Sequence, residues 1–141
     1  MSSYKRIVVA LSLEQEAGRL LSRAASIAAP EHLYIVHIEE HPVTGYGGAT
    51  GSNHSVNEMH IRQSVYPKLC AIADQHRVPH DHIHIAFGDP GEEVHVIANK
   101  LGADLIVTGS HGKQGLKRFL SSTSSSIHNG ATRDVLSIYT G

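Results

Sequence analysis

Residues 104–112 read Asp104-Leu105-Ile106-Val107-Thr108-Gly109-Ser110-His111-Gly112. The first five make an apolar run of strand length, 104–108. The remaining four make a small turn bracketed by glycines. Nine residues separate Gly112 from Ser122, which stands in a hydroxyl run, Ser121 to Ser126, at the head of a further helical segment. A strand end, a turn over which a ligand can approach the backbone, and a helix start with unpaired N–H groups together describe a phosphate site. Glycine also ends strands for conformational reasons alone, so the reading draws on the rest of the chain.

Upstream, Asp89-Pro90-Gly91-Glu92 is a helix start: an N-cap aspartate, proline at the first helical position and an acid in the first turn. The helix buries Val94, Ile97, Ala98 and Leu101, and Gly102 ends it. His82 to Phe87 reads as the strand before it. Further back, Arg6 to Leu11 is the first strand, and Ser12 with Gln15 forms a capping-box pattern. An apolar stripe follows at helical spacing through Ala17, Leu20, Leu21, Ala24, Ile27 and Ala28, closed by Pro30. Leu33 to Ile38 is the second strand. Residues 41–55 read as a long glycine-bearing loop. Val56 to His76 has helical patterning, with Val65, Leu69, Ile72 and Ala73 on one face and a kink or irregular start expected at Pro67. A last helix near 122–129 and a last strand, Val135 to Tyr139, complete the chain.

Strands alternating with helices imply a parallel sheet with right-handed crossovers and helices on both faces. The first four strands are nearly continuous apolar runs, as expected for strands covered on both faces. The last alternates more, with Leu136 and Ile138 on one side, and is expected at an edge, where an apolar strand invites pairing with another chain.

The bulk numbers bound the answer. A chain of 141 residues, 40% apolar and 18% charged, is expected to form one domain over residues 1–141. A formal net charge of -1 provides no basic footprint for nucleic acid and no polybasic membrane anchor. No apolar run approaches the roughly 20 residues of a membrane span. The single cysteine, Cys70, excludes an intrachain disulfide and reads as a buried apolar thiol. With a first strand so close to the start and no leader pattern, a cytoplasmic location is expected.

Several chemistries find no support. Gly45 and Gly47 would require a third glycine at residue 50, which is threonine, so there is no dinucleotide fingerprint. There is no G-x-S-x-G elbow and no P-loop lysine pattern. At most slow ATP hydrolysis is expected, not a dedicated enzyme. The chain holds 12 histidines. His80, His82 and His84 alternate and would share one face of an extended strand, but without a nearby cysteine or paired acid no metal site is expected.

Taken together, Lys5-Arg6-Ile7-Val8-Val9-Ala10, Val36-His37-Ile38, Phe87-Gly88-Asp89-Pro90 and the 104–112 stretch resemble the universal stress protein A family over the whole chain. Nucleotide-binding members of that family carry Gly, two residues, Gly, nine residues, Gly, then Ser or Thr. Gly109 and Gly112 match, with Ser122 at the third glycine and Thr123 after it. The resemblance implies an α/β fold with five strands in the order 3-2-1-4-5, a homodimer through the last strand, and in one branch bound ATP or AMP. The ligand would then lie at the switch point between strands one and four, which is also where the phosphate reading points.

Nucleotide contacts are accordingly expected at Ala10, Ser12, Ile38, Thr108, Gly109, His111, Gly112, Ser122, Thr123 and Ser124. The dimer contact is expected at Val135, Leu136, Ser137, Ile138 and Tyr139. Two positions depart from the family pattern. Ser12 stands where binding members end strand one with an aspartate, and losing that charge-assisted contact costs about 1.5–3 kcal/mol. Ser122 costs roughly 1–2 kcal/mol if the third glycine needs positive φ. His111 either donates to phosphate or is an exposed turn histidine. Lys113, Lys117 and Arg118 read as solvated charge, with phosphate neutralisation the alternative. The expected function is a dimeric stress-response regulator binding an adenine nucleotide, with an unidentified regulatory protein partner and no required metal. The alternative is a nucleotide-free dimeric protein-interaction module of the same family.

Overall fold

The computed structural model describes residues 4–11, 17–39, 51–110 and 133–139. Its strands are β1 (Ile7–Leu11), β2 (Leu33–Glu39), β3 (Ile83–Phe87), β4 (Leu105–Ser110) and β5 (Asp134–Tyr139). Its α-helices are α1 (Ala17–Ala25), α2 (Gly51–Gln75) and α3 (Pro90–Leu101). The strands form one parallel sheet in the order β3-β2-β1-β4-β5. This is the α/β architecture and strand order expected from the sequence.

Strand alternation divides the core into two layers. Ile7, Val9 and Leu11 of β1 face α1 and α2, together with Leu33, Ile35, Leu105 and Val107. Val8, Val36 and Ile106 face α3 through Val94 and Ala98. β1 is buried on both sides because it lies at the centre of the sheet. β3, at the edge, is half-buried along its whole length, so the expectation of full cover on both faces fails there. At the opposite edge, Ile138 packs into the core while Leu136 of the same face is 37% exposed.

The start of α3 follows its sequence. The Glu92 N–H donates to Asp89 Oδ2 at 3.0 Å, and Pro90 occupies the first turn, where no N–H is missed. Gly102 caps the other end at φ 66°, a left-handed conformation that a β-carbon disfavours. Helix α3 buries Val94 and Ala98, with Ile97 and Leu101 half-buried against the same cluster. It also buries His95, which the apolar pattern did not single out.

Other boundaries differ from expectation. Helix α1 stops at Ala25 instead of continuing through Ala28. The Ser26 hydroxyl donates to the Arg23 carbonyl, and the Ile27 N–H donates to Ala24, tightening the last turn while Ala28 stays buried. Residues 51–55, expected in a loop, belong to α2. Helix α2 runs through Pro67, so the helix does not start irregularly there, one of the two outcomes expected beside a kink. Pro67 and Gln63, whose carbonyl it cannot satisfy, are both exposed, so water can take that acceptor. Cys70 is half-buried rather than buried. The Ser12–Gln15 capping box and the helix expected near 122–129 lie outside the described residues.

The histidine triplet does not share one strand. His80–His82 form a 3₁₀ turn and β3 begins at Ile83. His80 Nε2 lies 2.6 Å from Asp74 Oδ1, so an acid does stand beside it. His82 Nδ1 donates to the Leu33 carbonyl, and its ring stacks on Tyr34 with centroids 4.0 Å apart. These engagements point the rings to different partners. Among the described residues no three His, Cys, Asp or Glu side chains could hold a metal ion.

Candidate functional site

A crevice opens in a doubly wound sheet where crossovers from neighbouring strands leave toward opposite faces. Here the crossover through α1 joins β1 to β2 on one face and the crossover through α3 joins β3 to β4 on the other, so the direction of winding reverses between β1 and β4. The candidate site therefore sits at the carboxyl ends of β1 and β4, which pair directly.

The amino ends of the same strands hold the register. Asp104 accepts the Lys5 N–H on Oδ2 at 2.9 Å and the Arg6 N–H on Oδ1 at 3.1 Å. Its own N–H donates to the Arg6 carbonyl, and Arg6 Nη1 donates to the Leu101 carbonyl. The Tyr4 hydroxyl donates to Asp134 Oδ2 at 2.6 Å, tying in β5. This clasp sets Ile7 beside Leu105 and, three residues on, Ala10 beside Thr108. The expected strand 104–108 begins one residue later, at Leu105, so Asp104 lies just before β4, and its bond to two successive backbone N–H groups was not legible.

Of the expected nucleotide contacts, Ala10, Ile38, Thr108 and Gly109 are described, and the fold brings them together. Ala10 and Thr108 are register partners on neighbouring strands about 4.8 Å apart. Ala10 and Ile38 pack on the α3-side cluster. Thr108 is 1% exposed, and Ser137 of β5 stands beside it. Gly109 and Ser110, expected in the turn, continue β4 and pair with Ile138 and Tyr139. The ladder to β5 runs on past the apolar run and carries the start of the glycine stretch with it. Ser12, His111, Gly112, Ser122, Thr123 and Ser124 lie outside the described residues.

Two residues at this end of the sheet were missed. His37 is buried at the end of β2, with Nδ1 3.0 Å from the Leu11 carbonyl and Nε2 2.8 Å from Glu39 Oε1. A histidine inside an apolar strand was the available signal, and it was read only as part of a motif. Behind Glu39, the Gly88 N–H donates to its carbonyl at 3.0 Å. Gly88 has φ 141°, and a β-carbon there would meet the Glu93 side chain at 3.0 Å.

Among the described residues, perturbed ionisation lies away from the crevice. Burial pushes His84 down, with His82 adding to it. Burial likewise pushes His95 down, and the Arg133 charge adds to that. Arg133 donates to the Ala103 carbonyl and to Asn99 Oδ1, joining the end of α3 to the start of β5. These groups belong to the α3 side of the sheet and not to the ends of β1 and β4.

Known proteins share this arrangement. Universal stress protein A homologs 1 and 2 of Coxiella burnetii are each 34% identical to the chain. The first match covers 96% of both chains, the second 98% of this chain and 97% of the relative. A crystal structure of a universal stress protein in complex with cAMP superimposes with a TM-score of 0.60 at 21% identity, covering 99% of this chain and 100% of that one. The universal stress protein from Archaeoglobus fulgidus in complex with dAMP gives a TM-score of 0.56 at 18% identity, covering 96% and 98%. At these identities the structures attest to the shared fold. The universal stress protein family matches over residues 3–138, and with the strand order and the two relatives this establishes that the chain belongs to that family.

Proposed function

We propose that the chain binds an adenine nucleotide in the crevice between β1 and β4 and works as a dimeric, cytoplasmic stress-response regulator without dedicated catalytic turnover. The observation that carries the reading is the pairing of Ala10 with Thr108 at the point where the crossovers diverge, directly before the glycine stretch. Ala10, small and half-buried, leaves room there for a ligand to approach the backbone. Two proteins of the same fold hold adenine nucleotides, cAMP in one and dAMP in the other. The base would lie near Ala10, Ser12 and Ile38, with Thr108 and Gly109 along the sugar. The phosphates would meet the N–H groups of Gly112, Ser122, Thr123 and Ser124, where a helix start favours negative charge.

The dimer is proposed through β5. That strand pairs with β4 on one side, and Val135 and Leu136 are 36% and 37% exposed. Among the described residues β5 has β4 as its one strand neighbour, and an open strand edge beside exposed apolar side chains suits pairing with a second copy. Among the described residues no helix is long and apolar enough to cross a membrane.

A nucleotide-free interaction dimer is the second reading, favoured by Ser12 and Ser122 at the two departures from the binding pattern. Mass spectrometry of the small molecules released on denaturing untagged protein separates the two. An adenine nucleotide near one equivalent supports the first reading. No nucleotide released, and no calorimetric heat with millimolar ATP, ADP or AMP, removes it.

A further inference from the structure

The carboxyl end of β2 carries a histidine that nucleotide binding as described does not use. His37 is 4% exposed within an otherwise apolar run. Alternation places it on the α1/α2 face, in register with Leu11 of β1 and Ile85 of β3. Both ring nitrogens are engaged, Nδ1 with the Leu11 carbonyl at 3.0 Å and Nε2 with Glu39 Oε1 at 2.8 Å.

The donors and acceptors must balance. A carbonyl oxygen only accepts, so Nδ1 carries a hydrogen. A neutral ring then has a bare lone pair at Nε2, and an ionised carboxylate also only accepts. The Nε2–Oε1 contact therefore needs one proton beyond those of a neutral imidazole and a carboxylate. Either an imidazolium donates to the carboxylate, or a carboxylic acid donates to the ring.

Other charges facing this end come from the packed elements. Helix α2 places the Arg62 guanidinium 5.1 Å from the centre of the Phe87 ring, and Phe87 is in register with Glu39. Glu58 lies one turn before Arg62 on α2. Glu93 of α3 packs against Gly88, which bonds the Glu39 backbone. Helix α1 presents Ala17, Leu20, Leu21 and Ala24, and its Arg19 and Arg23 are exposed. β1 and β3 present Leu11 and Ile85.

We propose that His37 and Glu39 hold one proton between them at neutral pH, and that this proton ties the last carbonyl of β1 to β2. His37 is thus a positioning residue for the crevice edge at Ala10 and Leu11. Losing the proton sets a lone pair against a carboxylate, loosens the ring from Leu11, and leaves a net negative charge at the end of β2 beside Ile38, on the base side of the proposed nucleotide site. An anionic ligand then binds the protonated pair more tightly, and binding in turn favours keeping the proton. This last step rests on the nucleotide reading; the clamp does not.

The test is NMR of labelled, nucleotide-free protein across pH. The expected result is a His37 ring protonated at both nitrogens, or a Glu39 carboxyl carbon at the chemical shift of the protonated acid, at neutral pH. The Leu11 carbonyl carbon should shift with the same midpoint as proton loss. In Glu39→Gln the amide can donate to Nε2, so the ring stays neutral and the Leu11 shift no longer follows that midpoint. In His37→Asn an amide donor replaces Nδ1, and the Leu11 carbonyl stays bonded without pH dependence. A neutral ring facing an ionised Glu39 at neutral pH, or a Leu11 carbonyl indifferent to Glu39→Gln, overturns the proposal. AMP titrations on either side of the midpoint should differ about fivefold or more, tighter on the acid side, with no such step in Glu39→Gln. Equal AMP affinity on both sides overturns the coupling. If AMP does not bind at all, the nucleotide reading fails, and the NMR measurements still decide the clamp.

Discussion

Replacing Asp89 with alanine tests how far the local signal at the start of α3 governs the stability of the fold. Asp89 Oδ2 accepts the Glu92 N–H at 3.0 Å, and Asp89 has the extended backbone of an N-cap. Alanine leaves that N–H to water, at a cost of about 1 kcal/mol. It also removes a negative charge from the positive end of the helix, a further ~0.3–1 kcal/mol for an exposed site. Helix α3 buries Val94 and Ala98 against Val8, Val36 and Ile106, so its loosening is shared by the α3 side of the sheet. With an unfolding entropy near 2.1 cal/mol/K per residue, a chain of 141 residues loses roughly 3–4 °C of Tm per kcal/mol. Asp89→Ala should therefore melt about 4–7 °C below wild type. Asp89→Asn keeps the acceptor and loses only the charge, so it should melt about 1–3 °C lower. Circular dichroism melts, checked for coincidence with near-ultraviolet or fluorescence transitions, measure both. An alanine variant within 1 °C of wild type, or an asparagine variant as damaged as alanine, would refute this account of the cap.

Acid should destabilise the fold through His84 and His95, both of which burial holds below the ordinary value of 6.5. The unfolded chain then binds protons that the folded chain does not, so this stability is full above about pH 6.5 and is lost as pH falls below it. His95→Leu removes a ring whose Nδ1 has no partner among the described residues; urea midpoints against pH should show a shallower acid limb for this variant. Leu136→Lys, at an exposed position of β5, should yield monomer or insoluble protein if β5 pairs with a second copy, and a wild type that sediments as a monomer at high micromolar concentration rules the pairing out. Ser12→Asp with Ser122→Gly should tighten ATP or AMP binding, whose wild-type Kd is expected in the micromolar range, about -8 kcal/mol. Gly112→Val should abolish binding; calorimetry that shows wild-type affinity in Gly112→Val excludes the proposed phosphate path.

Much of this molecule was legible from local pattern. The apolar runs of β1, β2 and β4 identified themselves because strands buried on both faces need little else. Asp89, Pro90 and Gly102 marked α3 because caps act within one helical turn. The strand order followed from resemblance to a family, and that order alone brings Ala10 and Thr108 to one crevice. Features that depend on contacts distant in sequence were not legible. Pro67 is accommodated because its turn of α2 faces water, and only the packing of α2 decides which side that is. The histidines at 80, 82 and 84 separate because β3 starts at Ile83, where pairing with Ile35 begins. Asp104 reaches two N–H groups 98 and 99 residues away, and His37 reaches a carbonyl 26 residues away. Periodicity is written residue by residue in the chain, whereas a hydrogen bond between strands exists only once their register is set, and that register comes from the assembled sheet.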